Sequence, residues 1–263
     1  MSLAKAPAAC CTVGSLHEGT PTGQELKVGK YDAYLATPPE GKAKKDAGVL
    51  FVPDIISIWQ NSKLLADQYA ANGYVTLIID VFNGDALSLN RPADFDFMGW
   101  LTKGSTGDNP HTKEYVDPIV KEGIKYLKEQ KGVKKLGAVG YCFGAKIQPL
   151  IVPSLQYVAR HYPDISVGFF AHPSFVDEEE LAGFKGPLSI AAAETDEIFP
   201  AENRHKAEVI LAKGGLPYQI NLYSQVEHGF SVRCDISKKI QKYAKEQAFI
   251  QAVTWFDTWL IDE

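Results

Sequence analysis

Cys142 sits in the run Val-Gly-Tyr-Cys-Phe-Gly-Ala (139–145), a nucleophilic side chain between two glycines. Cysteine reacts as its thiolate, so it needs a base to take the proton and a third group to orient that base. Both types occur later in the chain: Asp196 in Ala-Glu-Thr-Asp-Glu-Ile-Phe-Pro and His228 in Val-Glu-His-Gly-Phe. In such a set His228 takes the thiol proton and later returns it to a leaving group. Asp196 holds the imidazole tautomer and steadies its positive form. His172, in Ala-His-Pro-Ser, is a rival base, although it precedes Asp196; it could also line the pocket. Asp54, in Phe-Val-Pro-Asp-Ile, is another informative carboxylate, with a solvated turn residue as its plainer reading.

The elements that must position these residues are legible as alternating patterns. Residues 30–38 alternate like a half-buried strand, and 47–54 and 74–82 are continuous apolar runs of the kind buried in parallel sheets. Strands are also predicted over 135–140, 166–173, 187–196 and 218–224. Helices are predicted between 59 and 73, over 112–130, from about 143, from near Pro200, and over 238–260. This succession implies an α/β fold with a mostly parallel sheet covered on both faces. Ligands bind such sheets outside the carboxyl ends of the strands, where Cys142, Asp196 and His228 all fall. Their order is that of the α/β-hydrolase triad with cysteine in the serine position. The flanking glycines allow a sharp strand-to-helix turn that exposes Cys142. The N–H groups of Phe143 and Ile55 are then the expected oxyanion donors.

Composition narrows the class. The 263 residues carry a net charge of −5 with acidic and basic residues interspersed, which gives no nucleic-acid footprint. No apolar run reaches membrane-spanning length, and the first residues lack a signal-peptide core, so the cytosol is the expected location. The chain reads as one domain over 1–263, with 1–30 an N-terminal arm or hairpin and no large lid domain. The longest irregular stretch is 83–111. Four cysteines, Cys10, Cys11, Cys142 and Cys234, are too few for a disulfide framework. Cys10 and Cys11 have no His or Cys partner at ligand spacing and read as partly buried N-terminal thiols, Cys234 as a bystander. No metal or cofactor is expected. A monomer is expected, acting on a small molecule.

The segments 51–55, 73–82, 139–145, 171–175, 191–199 and 226–233 together resemble the dienelactone hydrolase family, in its fungal branch of small hydrolases, across most of the chain from residue 30. The resemblance implies a cofactor-free hydrolase of lactones or activated esters, in which Cys142 forms a thioester acyl-enzyme that water opens through His228. It also implies a carboxylate that orients the resting cysteine, a position Asp54 occupies with one methylene fewer than the glutamate of the bacterial members. Arg233 corresponds to an arginine that binds a substrate carboxylate, one residue farther from the histidine than in those members. Arg91, Tyr141 and His172 are further substrate-binding candidates, with Lys146 a weaker one. Two other readings stay open on the sequence: a ligand-binding protein of the same fold with little turnover, and a redox-sensing thiol protein for which no resolving cysteine is identifiable.

Overall fold

The apolar runs become neighbouring strands. In a computed structural model that describes residues 2–6, 8–92, 94–145 and 164–261, these are β1 (Gln24–Val28), β2 (Tyr31–Ala36), β3 (Ala47–Val52), β4 (Val75–Ile79), β5 (Lys135–Tyr141), β6 (Val167–Ala171), β7 (Leu188–Thr195) and β8 (Tyr218–Glu227). They form one sheet in the order β1-β2-β4-β3-β5-β6-β7-β8. The β1–β2 hairpin joins antiparallel at one edge, and every pair from β4–β3 onward is parallel. β3, β5 and β6 lie in the middle and are almost wholly buried, as expected of parallel strands covered on both faces.

Alternation along β5 separates the two cores. Leu136 and Ala138, followed by Cys142, join the cluster that holds Trp100, Val116, Ile119, Val120, Leu181 and Leu211. Those residues come from α2 (Phe97–Lys103), α3 (Lys113–Lys125), α4 (Glu178–Ala182) and α5 (Ala201–Gly214). Val139 and Tyr141 point the other way. They join Leu65 and Tyr69 of α1 (Gln60–Ala71) and Ala248, Ala252 and Phe256 of the C-terminal helix (Lys239–Trp259). That helix packs so closely that a Cβ on Gly137 would stand 2.8 Å from the Phe256 ring. The short helix α6 (Phe230–Arg233) precedes it, which makes the C-terminal helix α7.

Three features differ from the sequence pattern. The hairpin at the start straddles residue 30 rather than preceding it, because polar β1 shows little of a strand's apolar alternation. The stretch 83–111 contains α2, capped by the Asp96 side chain on the Gly99 N–H at 2.8 Å. The helix expected from 143 opens as a 3-10 turn, Cys142–Ala145; its continuation, like Lys146, lies outside the described residues. Among the described residues no helix is long and apolar enough to cross a membrane.

The N-terminal segment is stitched across the carboxyl ends of the strands. The Lys5 N–H donates to Ile198 O, the Phe175 N–H to Lys5 O, the Asn90 N–H to Thr12 O and the Ser15 N–H to Arg233 O, at 2.8–3.0 Å. Asn61 fixes its far end, accepting from the His17 N–H at 2.8 Å and donating to Ser15 O at 2.9 Å. Within this strap, Leu3, Ala4 and Cys11 are fully buried against the strand ends.

Packing at the β5 turn yields a stability prediction. A Cβ on Gly144 would lie 2.0 Å from Val52 O, whereas one on Gly214, at the end of α5, meets nothing within 4 Å among the described residues. Gly144→Ala is expected to destabilise by at least the roughly 1–3 kcal/mol of an overpacked core. Gly214→Ala should stabilise by up to ~1 kcal/mol. Urea unfolding of the two variants against the parent checks both signs.

Candidate active site

Cys142 follows the last residue of β5 with φ 51°, a left-handed conformation that costs an L-residue roughly 1–2 kcal/mol. The surrounding contacts hold it there. A Cβ on Gly140 would meet Gly144 O at 2.7 Å, and one on Gly144 would collide with Val52 O, so both glycines are needed for the turn to close against β3. The turn therefore packs beside Pro53 and the loop that carries Asp54 and Ile55. The N–H groups of Phe143 and Ile55 engage no acceptor among the described residues.

Three strand ends bring a row of side chains together. His228, beyond β8, places Nε2 3.2 Å from Cys142 Sγ. Its Nδ1 lies 2.9 and 3.1 Å from the two carboxylate oxygens of Asp196, beyond β7. Asp196 is itself fixed by the N–H groups of Ile198 and Phe199, at 2.8 and 2.9 Å. Burial alone would push the Cys142 thiol up. A hydrogen bond from Cys11, the charge and hydrogen bond of His228, and the charge of Arg233 outweigh it and hold the thiol well below its ordinary range. Desolvation opposes the positive form of His228, yet the charges of Asp196 and Cys142 and hydrogen bonds to both push its pKa up to about 10. Both shifts favour a thiolate–imidazolium pair, a state able to attack an electrophilic carbon and hand a proton to a departing oxygen.

The remaining sequence candidates divide. Asp54 occupies the position from which a carboxylate was expected to orient the cysteine. Its carboxylate is instead ion-paired with the Arg233 guanidinium and accepts from the Ile56 N–H at 3.1 Å. Among the described residues no hydrogen bond joins this carboxylate to the sulfur, and it bears on Cys142 through charge. Burial lifts the Asp54 carboxyl above its usual range, and the charge of Arg233 pulls it back. Arg233 is 1% exposed, and its Nε and Nη2 have no partner among the described residues. His172 packs edge-on to His228 at 5.0 Å between ring centroids, with Nδ1 3.1 Å from Ser231 Oγ. Burial, then the charges of His228 and Arg233, hold it well below its ordinary pKa, and it stays neutral.

Tyr141 turns its hydroxyl away from the row and, among the described residues, meets it only through its ring, 6.2 Å between centroids from His172. Its hydroxyl pairs with Tyr69 on α1 at 2.8 Å and its ring packs on Phe51, because the strand alternation sends neighbours 141 and 142 to opposite faces. Arg91 lies over the Phe95 ring at 4.7 Å, and no hydrogen bond or ion pair joins it to this row among the described residues. Two neighbours went unread in the sequence. Ser174 lies with Oγ 3.9 Å from Cys142 Sγ. The strap brings in Cys11, whose Sγ lies within 4.8 Å of both Cys142 Sγ and a ring nitrogen of His228. The adjacent cysteines at 10 and 11 were a visible signal, but no spacing rule ties them to residue 142.

A cavity of about 280 Å³ opens beside this row, lined by Gly14, Glu227, His228, Phe230 and Arg233 among others. A larger one, about 490 Å³, lies by Ser57, Asp80 and Lys63 and contains none of the row. Reactive chemistry, not volume, selects the smaller.

Comparison with known proteins identifies the family. The family model described as dienelactone hydrolase family matches residues 31–260. The chain belongs to the dienelactone hydrolase family. It is accordingly a hydrolase. Among family relatives, it is 43% identical to "Hydrolase pyvD" of Aspergillus violaceofuscus over 257 residues, 97% of each chain. It is 34% identical to "Dienlactone hydrolase 1" of Gibberella moniliformis over 270 residues, 99% of this chain and 97% of that one. A putative dienelactone hydrolase from Klebsiella pneumoniae shares the fold at TM-score 0.71 with 15% identity, covering 90% of this chain and 99% of that one.

The pair's protonation gives a pH prediction. A depressed thiol pKa means that thiolate is lost only as pH falls through that depressed value. A raised His228 means that imidazolium is lost only as pH rises through about 10. Alkylation of Cys142 by iodoacetamide should therefore be nearly flat between about pH 7 and 9, where a free thiol climbs towards its pKa near 8.5. His228→Ala should restore the climb. A parent profile that tracks a free thiol would contradict the ion pair.

Proposed function

We propose that the protein hydrolyses lactones or activated esters by covalent catalysis at Cys142, with His228 as acid and base and Asp196 as its orienting carboxylate. The observation that carries this reading is the unbroken row of Cys142 Sγ, His228 and Asp196, joined at 3.2 and 2.9 Å across three strand ends. The family's hydrolytic character and the names of the dienlactone hydrolase relatives support the substrate class.

The steps follow from the resting charges. The Cys142 thiolate attacks the acyl carbon, and the carbonyl oxygen, now negative, is received by the N–H groups of Phe143 and Ile55. As the intermediate collapses, the C–O bond to the leaving group breaks and His228 Nε2 gives that oxygen its proton. In a lactone the leaving group remains tethered as the far end of the opened ring. His228, now neutral, takes a proton from water, and the hydroxide attacks the thioester. Collapse of this second intermediate releases the acid and returns Cys142 to thiolate beside protonated His228. A thiolate leaves a tetrahedral intermediate more readily than an amine does. The chemistry therefore suits enol lactones and other activated esters and disfavours amides.

Arg233 is the reading's specificity element. Its fork is half used by Asp54, which leaves Nε and Nη2 buried beside the cavity and without a partner among the described residues. A buried donor without an acceptor costs roughly 1–3 kcal/mol, and a substrate carboxylate would satisfy it in bidentate fashion. Asp54 positions that guanidinium. The same reading takes the chain as one domain, monomeric, acting on a small molecule in the cytosol, where its four unbridged cysteines would stay reduced.

Two experiments test the reading. In a screen of enol lactones and aryl esters, Cys142→Ala and His228→Ala should lose at least ~10³-fold in kcat, and Asp196→Asn roughly 10²–10⁴-fold. Turnover surviving in the first two variants would refute the assignment. Arg233→Lys keeps a cation against Asp54 but removes the fork. It should raise KM for carboxylate-bearing esters by about tenfold or more, the worth of one charged hydrogen bond, and leave neutral esters nearly unchanged. Equal effects on both would count against anion recognition.

A further inference from the structure

Beyond the hydrogen bond it gives the Cys142 thiolate, one buried thiol at the site has no part in the hydrolytic steps. Cys11 is fully buried, comes from the strap rather than the sheet, and is placed among the reactive atoms. We propose that Cys11, Cys142 and His228 form a three-donor site for zinc(II), and that metal and acyl substrate exclude each other there.

The donor set and its dimensions carry the proposal. Two thiolate sulfurs and one imidazole nitrogen, all within 4.8 Å of one another, are a soft ligand set that suits zinc and disfavours magnesium or calcium. Zinc–sulfur bonds of about 2.3 Å and zinc–nitrogen bonds of about 2.0 Å at tetrahedral angles put donor atoms roughly 3.5–3.8 Å apart. Cys142 Sγ and His228 Nε2, at 3.2 Å, are already near that spacing. The strap that carries Cys11 needs at most about 1 Å of adjustment to complete it.

The surroundings are those of a metal-binding histidine. Nδ1 of His228 is held by Asp196 at 2.9 Å, which leaves Nε2 as the ligand atom and fixes the ring, the usual carboxylate–histidine–zinc arrangement. Binding releases two protons to solvent, the Cys11 S–H and the His228 Nε2–H, while Cys142 enters as thiolate. The metal then occupies the lone pairs that would serve as nucleophile and base, so the loaded protein cannot form the acyl-enzyme. The strap hydrogen bonds at Lys5, Thr12 and Ser15 set Cys11 in place, so the metal would also tie the strap to the turn at Cys142. The coordination does not depend on the hydrolytic reading. The proposed exclusion does, and the test reads metal binding rather than turnover, so either can fail alone.

The experiment uses the full chain, kept reduced with a non-chelating phosphine. Zinc is titrated in competition with a chromogenic chelator, and cobalt(II) is the spectroscopic probe. The expected result is one zinc per chain and a tetrahedral cobalt spectrum with thiolate-to-cobalt charge transfer. Cys11→Ser should bind zinc at least tenfold more weakly and lose about half of that charge-transfer intensity; Cys10→Ser should change neither by more than twofold. Zinc should also shield Cys11 and Cys142 of the unmutated chain from alkylation while Cys10 stays reactive, a readout that needs no variant to fold. Equal zinc affinity in Cys11→Ser, or no binding by the reduced parent, would overturn the proposal. So would a parent that binds no zinc but, on air oxidation, becomes two hydrogens lighter with Cys11 joined to Cys142. That result would make the pair a disulfide couple instead.

Discussion

Asp196, His228, Cys142, Arg233 and Asp54 are between 0 and 8% exposed, and none of them could hold a charge there alone. Moving a single carboxylate or ammonium group into such a site costs several kcal/mol even after relaxation. The five are arranged so that each negative group faces a positive one: carboxylate, imidazolium, thiolate, guanidinium, carboxylate. His228 is raised by Asp196 and Cys142 together, and Cys142 is lowered by a hydrogen bond from Cys11 and by the charges of His228 and Arg233. A thiolate buried in protein at neutral pH is a consequence of this row, not a property of the cysteine.

The fold's task is to hold the row closed. β3, β5, β7 and β8 each end where one member begins, and the parallel register brings those ends to the same side of the sheet. Gly140 and Gly144 let the chain turn back on β3, and the left-handed backbone at Cys142 lifts its sulfur to His228. The strap then covers the strand ends. It excludes water, which strengthens every charge pairing beneath it, and it brings in a second thiol. The distance between catalytic power and metal capture at this site is therefore short: both use the same two lone pairs.

What the sequence revealed follows physical locality. The strand runs and the ordered Cys, Asp and His are legible because each depends on residues close in the chain, and a parallel sheet puts the ends of its strands on one side. Tyr141 misleads for the opposite reason: adjacency to Cys142 in sequence means the opposite face in a strand. The Asp54–Arg233 pair joins residues 179 apart, and only the fold shows that the carboxylate is taken up by the arginine rather than by the sulfur. Cys11 reaches the site through backbone hydrogen bonds of an irregular segment, which leave no periodicity to read.

The central claim is that His228 is an imidazolium in the resting protein because the Asp196 carboxylate and the Cys142 thiolate flank it. Nitrogen-15 NMR of the His228 ring at pH 8 tests it most directly, since an ordinary histidine with a pKa near 6.5 is neutral there. Two protonated ring nitrogens are predicted in the parent, with one reverting to an unprotonated, pyridine-like nitrogen in Cys142→Ala. A neutral ring in the parent, or a spectrum that does not change when Cys142 is removed, would contradict the account.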